Sequence, residues 1–495
     1  MEQLGAKICE LLSYNASSPL IFSSGLFLYL FLAFFACYLA LRRTTTLRIL
    51  YVIAFSLYFY YKSSGIYFLL LILAATYDYM IGYSIYLSKS RRAKQLLVAM
   101  SVCINLAMLG YFKYTNFLVD LTNQLFGEGF MQFQNIFLPV GISFFVFQSM
   151  SYTIDIYRGQ LRPLARWTDY LFYLSFFPGL LAGPIVRAKE FIPQIRQRPV
   201  VTREMLGTAF FLILTGLFKK AVISDYIALN FVDRIFDEPL LYSGFECLMG
   251  IYGYALQIYC DFSGYSDMAI GLALLLGFRF PKNFDAPYQS ATITEFWRRW
   301  HISLSSWLRD YLYISLGGNR KGRRRTYLNL LLTMLLGGLW HGAAIRFVLW
   351  GALHGTALAL HKWWLTVIPW AKAKGSEMNP VLRLVGVIFT FHLVCAGWLV
   401  FRADSMQTAG LLLHQIFTAF DPSLIGQFVK GYRGVVLLIA LGYVMHFVPT
   451  RGDRWVEGLV TRAPMGVQVA MFVAVIWIVM QVKSAEIQPF IYFQF

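Results

Sequence analysis

Long runs of apolar residues, separated by short segments that carry most of the charges, recur along the whole chain. A helix needs about 20 such residues to cross roughly 30 Å of hydrocarbon. The runs lie at 20–41, 49–61, 66–87, 95–114, 136–157, 205–224, 242–260, 268–278, 328–339, 347–364, 384–401, 435–448 and 467–482. Because several runs are shorter than that, the pattern predicts an all-α polytopic membrane protein with about 11 to 13 transmembrane or re-entrant helices.

Two segments interrupt this pattern. FFPGLLAGPIVR, residues 176–187, is too broken by proline and glycine to span as a helix, so its backbone must be buried in protein or line a wet cavity. QIYCDFSGYSDMAIG, residues 257–271, places Asp261 and Asp267 between apolar flanks, where carboxylates need partners or water. A polar loop at a membrane face and part of a cavity wall are both open interpretations of it. No linker rich in Pro, Gly or Ser divides the chain, so we expect one membrane domain over residues 1–495.

Composition supports a membrane protein, since 58% of the residues are hydrophobic and 14% are charged. The net charge of +18 would suggest nucleic acid in a soluble chain. Here the basic residues cluster between apolar runs, at 42–48, 89–94, 187–203 and 320–325, as they do in cytoplasmic loops. We therefore expect no nucleic-acid binding. Placing the first two clusters inside predicts an extracytoplasmic N-terminus, and with no cleavage signal in view the first run is predicted to be retained.

The segment 283–322 mixes tryptophan and tyrosine with basic residues, a composition typical of a membrane interface. Ser290, Thr292 or Thr294 is the candidate N-cap of a helix that contains Glu295. His301 lies in the middle of the segment. An interfacial histidine bonded to a backbone carbonyl is one interpretation of it.

Seven histidines and six scattered cysteines are the remaining candidates for chemistry. The cysteines form no CxxC pair and predict neither a disulfide framework nor a metal site. His341 stands apart, because the glycines around it let a backbone or a ligand approach closely, and a buried neutral imidazole is a base. A helical packing role is the simpler interpretation of His392, His414 and His446, and it is equally open for the shared face of His354 and His361.

EFWRRWHISLSSWLRDYLYISLGGNRKG (295–322) followed by GGLWHGAAIRFVLWGALHG (337–355) resembles the membrane-bound O-acyltransferase family, in particular its bacterial branch typified by the alginate O-acetylation membrane protein. The resemblance covers nearly the whole chain, because further segments agree: PVGISFFVFQSMSYTIDIYRG, FFPGLLAGPIVR, YCDFSGYSDMAIG, GWLVFRA and PFIYFQF. The chain departs from the pattern at Ile345 and Arg346, where an aromatic and a small polar residue are expected.

The resemblance implies a ring of helices around a central tunnel in the bacterial inner membrane. The family's essential histidine falls on His341, and the second histidine of the bacterial pattern falls on His301, so these are the candidate catalytic residues. The implied reaction passes an acetyl group from a cytoplasmic thioester such as acetyl-CoA, a substrate and not a resident cofactor, to an alginate-like exopolysaccharide or cell-surface glycan. His341 acts either as a general base or as a transient acyl carrier. No metal is expected.

Arg298, Arg299 and Arg309 are the candidate residues for attracting the donor's phosphates, together with the basic loop, although positive-inside topology explains that loop equally well. By analogy with the branch, a periplasmic or surface protein of the SGNH serine-esterase type receives the acetyl group. Two other functions stay open. One is a transporter of a small solute or acyl carrier without bond formation, and the other is a scaffold for a polysaccharide synthase.

Overall fold

The computed structural model describes residues 2–16, 18–368, 379–482 and 490–491, and their regular structure is entirely helical. The α-helices in chain order are α1 (Glu2–Leu12), α2 (Gly25–Leu41), α3 (Thr45–Ser64), α4 (Phe68–Leu87), α5 (Arg91–Leu109), α6 (Thr115–Phe126), α7 (Ile142–Tyr157), α8 (Trp167–Ser175), α9 (Phe177–Leu180), α10 (Ala188–Ile195), α11 (Arg203–Leu217), α12 (Asp225–Ile227), α13 (Asp233–Asp237), α14 (Gly244–Leu275), α15 (Ile293–Arg299), α16 (Ile302–Trp307), α17 (Arg323–His341), α18 (Ile345–Val367), α19 (Pro380–Arg402), α20 (Met406–Thr418), α21 (Ile425–Gly431), α22 (Arg433–Phe447), α23 (Thr450–Arg462) and α24 (Met465–Val482). The predicted all-α membrane fold is confirmed.

Five helical stretches in the described residues are long and apolar enough to cross a membrane, and a bent pair, Pro422–Gly431 with Arg433–Phe447, would make a sixth. The five are Thr45–Leu87, Arg91–Phe126, Arg203–Asp237, Pro380–Arg402 and Met465–Val482. The first has 43 residues, about 65 Å of helix, and Gly65 interrupts it with a φ of +60°. It is therefore long enough for two crossings. The total number of crossings stays a prediction.

The chain divides into two compact units, one of residues 1–209 and 268–281 and the other of residues 210–267 and 282–493. The expectation of a single membrane domain stays a prediction. In the first unit, buried Asp78 on α4 accepts hydrogen bonds from Ser101 (2.5 Å) and Asn105 (2.7 Å) on α5 and from Ser149 on α7. Three polar partners make burial of this carboxyl tolerable, and they hold α4, α5 and α7 in register.

The broken segment 176–187 also lies in the first unit. Only one turn of helix, α9, forms in it, and residues 176–186 are buried. Phe177 packs among the rings of α2 and α3, with centroids 5.6 Å from Phe34 and 5.8 Å from Phe59. The irregular backbone is thus covered by protein, which was one of the two arrangements that the sequence permitted.

In the second unit, the carboxylates of segment 257–271 have the partners that the sequence required. Lys220 Nζ lies 2.7 Å from Asp261, and Lys219 Nζ lies 2.8 Å from Asp267. The interpretation of this segment as a polar loop is wrong, because residues 257–271 belong to the 32-residue helix α14. Lysine side chains, rather than water, compensate the charges of the two carboxylates, so the segment can remain helical.

Glycines bring α17 and α18 into close contact within the second unit. A Cβ added to Gly338 would lie 2.1 Å from the carbonyl oxygen of Phe347, and one added to Gly351 would lie 2.3 Å from that of Met334. The two backbones touch at these points, as small residues allow in membrane helices. The helix hairpin places His341, at the end of α17, against the first turns of α18.

Gly351→Ala should force the hairpin apart and lower the apparent melting temperature of the detergent-solubilised protein, because overpacking costs about 1–3 kcal/mol. Gly410→Ala on α20 is the matched control, since nothing lies within 4 Å of the added carbon there. Thermal unfolding followed by size-exclusion fluorescence measures both. Equal melting temperatures for the two variants would contradict the close packing.

Candidate active site

His341 is the last residue of α17 and is only 3% exposed. Three aromatic rings meet the imidazole nearly edge to face, with centroids at 5.1 Å for Trp340, 4.9 Å for Trp350 and 5.5 Å for Phe401. These rings exclude water from the imidazole. The carbonyl end of a helix also favours positive charge, so this position stabilises an imidazolium that forms when His341 takes up a proton.

The glycines next to His341 serve the approach of a neighbouring helix. A Cβ on Gly342 would lie 1.9 Å from a ring carbon of Phe347 on α18, and Gly338 faces the carbonyl of the same residue. The sequence left open whether a backbone or a ligand needs this space. Phe347 of α18 occupies the space beside both glycines.

His301 is buried and stands at the N-cap of α16 with a φ of +42°, in the left-handed region that side chains rarely adopt. Asn283 holds it there. The amide Oδ1 of Asn283 accepts hydrogen bonds from the Ser303 backbone N–H (3.2 Å), the Ser303 hydroxyl (2.9 Å) and His301 Nδ1 (3.2 Å). Nδ2 of Asn283 donates to Ser266 on α14 at 3.0 Å.

This network fixes the tautomer of His301. A backbone N–H can only donate, so the atom of Asn283 that faces Ser303 is the amide oxygen, and Nδ1 of His301 must carry the hydrogen that points at it. The lone pair then lies on Nε2. Burial lowers the pKa of His301 below its usual value, so at neutral pH the imidazole is an uncharged base.

Both candidate catalytic histidines contact the indole of Trp340. Its ring centroid lies 6.1 Å from that of His301 and 5.1 Å from that of His341. Phe262 on α14 packs edge to face on His301 at 4.6 Å. The structure therefore brings the two histidines into one aromatic cluster, although 40 positions separate them in the sequence.

The three candidate donor-binding arginines differ in their surroundings. Arg299 pairs with Glu295 on α15 at 2.8 Å, and Arg309 pairs with Asp310 at 2.6 Å. Arg298 is exposed and has no ion pair within the described part of the chain. No contact of theirs distinguishes a donor site from an ordinary interface, so their role stays a prediction.

Comparison with known proteins now identifies the family. The family model of the membrane-bound O-acyltransferases matches residues 160–401. The chain is 42% identical to the probable alginate O-acetylase AlgI of Pseudomonas putida, over 81% of each chain. It is 34% identical to the peptidoglycan O-acetyltransferase of Helicobacter pylori, over 79% of this chain and 78% of that protein, and 28% identical to the teichoic acid D-alanyltransferase of Bacillus subtilis, over 54% and 69%.

The chain belongs to the membrane-bound O-acyltransferase family. It is an O-acyltransferase, and the resemblance noted in the sequence is confirmed. The matched range contains His301, His341 and the three arginines. Within the described residues no group of three or more His, Cys, Asp or Glu side chains is arranged to hold a metal ion.

Two further histidines of this acyltransferase lie on α18. His354 is fully buried, with its ring 4.7 Å from that of Trp350 and 5.2 Å from that of Trp297. Neither of its ring nitrogens has a hydrogen-bond partner in the described ranges. His361 bonds to Thr294 at 2.8 Å. His354 thus packs among aromatic rings and His361 has a hydrogen-bond partner, and the packing role of both stays a prediction.

The last three histidines each have at least one hydrogen-bond partner. His392 meets the Tyr252 hydroxyl at 2.8 Å, and the backbone N–H of Tyr288 donates to Nε2 of His446 at 3.0 Å. His414 is exposed on α20, 3.2 Å from Thr418. These contacts agree with a packing role for all three.

Sequence reasoning missed Asn283 and Trp350 as parts of the site. Asn283 begins the segment 283–322, which is notable in the sequence for its tryptophans and arginines. The spacing between Asn283 and His301 does not predict a hydrogen bond. Trp350 lies nine positions after His341, on the next helix, so only the packing of α17 against α18 brings the two rings together. A buried asparagine near a positive-φ histidine is a tertiary feature without a sequence signal.

Asn283→Asp tests the assignment of His301. A carboxylate beside Nδ1 stabilises the imidazolium and raises the pKa of His301. As pH falls, the neutral base is then lost at a higher pH, and we expect the acidic limb of the rate profile to move up by about one to two pH units. Because burial lowers the pKa of His301 to about 3, acyl transfer is measured from pH 3.5 to pH 9, a range that includes the shifted limb.

Asn379→Asp is the matched control, because Asn379 caps α19 through its side-chain oxygen and aspartate caps equally well. Its profile should coincide with that of the unmodified enzyme. An unshifted profile for a folded Asn283→Asp variant would mean that the protonation of His301 does not limit the reaction.

Proposed function

We propose that this O-acyltransferase takes an acetyl group from a cytoplasmic thioester such as acetyl-CoA and passes it across the bacterial inner membrane for O-acetylation of an extracytoplasmic polysaccharide. Its relatives support this, because they include a probable alginate O-acetylase and a peptidoglycan O-acetyltransferase. The observation that carries the proposal is the water-excluding aromatic cluster around His341. Exclusion of water from the site favours transfer of the activated acyl group to the acceptor hydroxyl over its hydrolysis.

The orientation of α17 supports transfer from one face toward the other. This helix begins within the basic cluster 320–325 and ends at His341, and its 19 residues span about 28 Å. With the loop on the cytoplasmic side, His341 lies most of a membrane thickness away from it. The phosphates of coenzyme A stay on the side of the loop, and only its flexible thiol arm, which carries the acyl group as a thioester, has to reach the histidine.

The proposed chemistry balances without a cofactor. The acceptor hydroxyl oxygen attacks the thioester carbonyl carbon while His341 removes the hydroxyl proton, the C–S bond breaks, and the sulfur leaves as the thiolate of coenzyme A and takes up a proton. Alternatively His341 itself attacks, carries the acyl group and then yields it to the hydroxyl. Both routes need a neutral imidazole and end in the same ester and free thiol.

Donor recognition is proposed to rest on charge. Arg298 and Arg309 are exposed at the surface of the second unit, and the basic loop 320–325 adds further positive charge. Each charge near the surface contributes about 1 kcal/mol. Arg299 forms an ion pair with Glu295, one turn earlier, and this pair also stabilises α15. A serine-esterase-type protein on the outer face is proposed to accept the acetyl group and deliver it to the polymer.

His341→Gln should abolish the slow release of free coenzyme A from acetyl-CoA by the purified protein. An amide neither accepts a proton at neutral pH nor carries an acyl group, so the rate should fall about 100-fold or more. Thiol detection of coenzyme A measures it. His414→Gln, on the exposed face of α20, is the control and should keep the full rate. Undiminished release by a folded His341→Gln variant would remove His341 from the mechanism.

A further inference from the structure

A cavity of about 250 Å³ lies between α14, α19 and α22 in the second unit. It is lined by Tyr252 of α14, by four residues of α19 within 387–392, and by Tyr443 and Phe447 of α22, and these residues present only apolar surface to it. Pockets that enclose a whole small molecule measure roughly 300–1,000 Å³. The cavity therefore fits part of a longer molecule.

The cavity lies at the depth of the membrane interior. α19 is one of the five candidate membrane spans, and residues 387–392 are near the middle of its 23 residues. α22 belongs to the bent pair that would make a sixth span. Phe389 and Val444, next to lining residues in the sequence, are exposed. At this depth an exposed apolar surface faces acyl chains.

His392 is a polar residue in this apolar wall, and its two hydrogen bonds fix its tautomer. The Ile388 carbonyl can only accept, so Nδ1 of His392 carries the hydrogen and donates it at 2.8 Å. Nε2 then accepts from the Tyr252 hydroxyl, also at 2.8 Å. The Tyr443 hydroxyl donates to the Tyr252 carbonyl at 2.8 Å. The imidazole is therefore neutral, and both its nitrogens and both hydroxyls are engaged within the protein.

We propose that this cavity binds one acyl chain of a membrane phospholipid. A buried water needs about two to four polar partners, and the described lining offers none, so water and polar ligands gain nothing there. An empty cavity deprives its lining of dispersion contacts, which a hydrocarbon chain restores. Burial from water does not favour binding inside a bilayer, so these packing contacts are what hold the chain.

A chain in the cavity supports the surroundings of the active site through Phe391. The ring of Phe391 lies 5.5 Å from that of Tyr288, edge to face. The Tyr288 hydroxyl accepts a hydrogen bond from the Trp398 indole at 3.1 Å, and the Tyr288 ring lies 6.2 Å from that of Trp300, the residue before His301. Occupation of the cavity therefore keeps Phe391 against a group of rings that includes the neighbour of His301.

The experiment reconstitutes the full chain in phosphatidylcholine vesicles in which a small fraction of the lipid carries a diazirine midway along one acyl chain. Irradiation should attach this lipid to Tyr443, inside the cavity, and mass spectrometry of the peptides locates the adduct. Ile388→Trp fills the cavity and should abolish the adduct on Tyr443. Phe389→Trp is the matched control, because this exposed neighbour lies outside the cavity, and it should keep the adduct.

Three outcomes would overturn the proposal. The first is an undiminished adduct on Tyr443 in a folded Ile388→Trp variant. The second needs no variant: a water-soluble diazirine labels Tyr443 of the unmodified protein at least as well as the lipid does, so the cavity is open to water. The third is an adduct that forms in vesicles but not in the native membrane supplied with the same lipid, which would mean that another protein covers the cavity.

Discussion

The structure depends on compensating charges in surroundings that exclude water. An unpaired charge in such surroundings costs several kcal/mol, so a buried charge needs a partner. Lysines on the π-helical stretch Phe218–Ser224 pair with the carboxylates of α14. Asn283 holds His301 in a strained conformation, and aromatic edges surround His341. The same exclusion of water that makes these arrangements necessary makes a thioester reaction feasible.

The two candidate catalytic histidines, His301 and His341, differ in their surroundings. His301 has a side-chain amide that sets its tautomer and leaves Nε2 as the basic atom. His341 is surrounded by aromatic rings and lies at the carbonyl end of α17, surroundings that tolerate a transient positive charge. Trp340 lies against both imidazoles.

Much of the fold follows from local sequence, and much of the site does not. The length of the apolar runs predicts the helices. The sequence also offers three candidate N-caps for α15, and one of them, Thr292, accepts the Glu295 N–H at 3.1 Å. The two apolar runs 242–260 and 268–278 are one helix, α14, because ion pairs to distant lysines satisfy the carboxylates between them. The tie between Asn283 and His301, and the contact of Trp350 with His341, depend on how helices pack. Periodicity carries no information about such contacts.

Vectorial transfer is the central claim, and proteoliposomes test it most directly. The exposed cysteines Cys9, Cys37 and Cys103 are replaced, and Lys321→Cys in the basic loop then reports orientation by its reaction with an impermeant thiol reagent. Acetyl-CoA labelled in the acetyl group is supplied on one side only, and an oligosaccharide that offers hydroxyl groups is supplied as acceptor on the other. We expect coenzyme A release only with donor on the side of Lys321, and labelled acetyl on the opposite side. Release with donor only on the other side, or label remaining with the donor, would contradict the account.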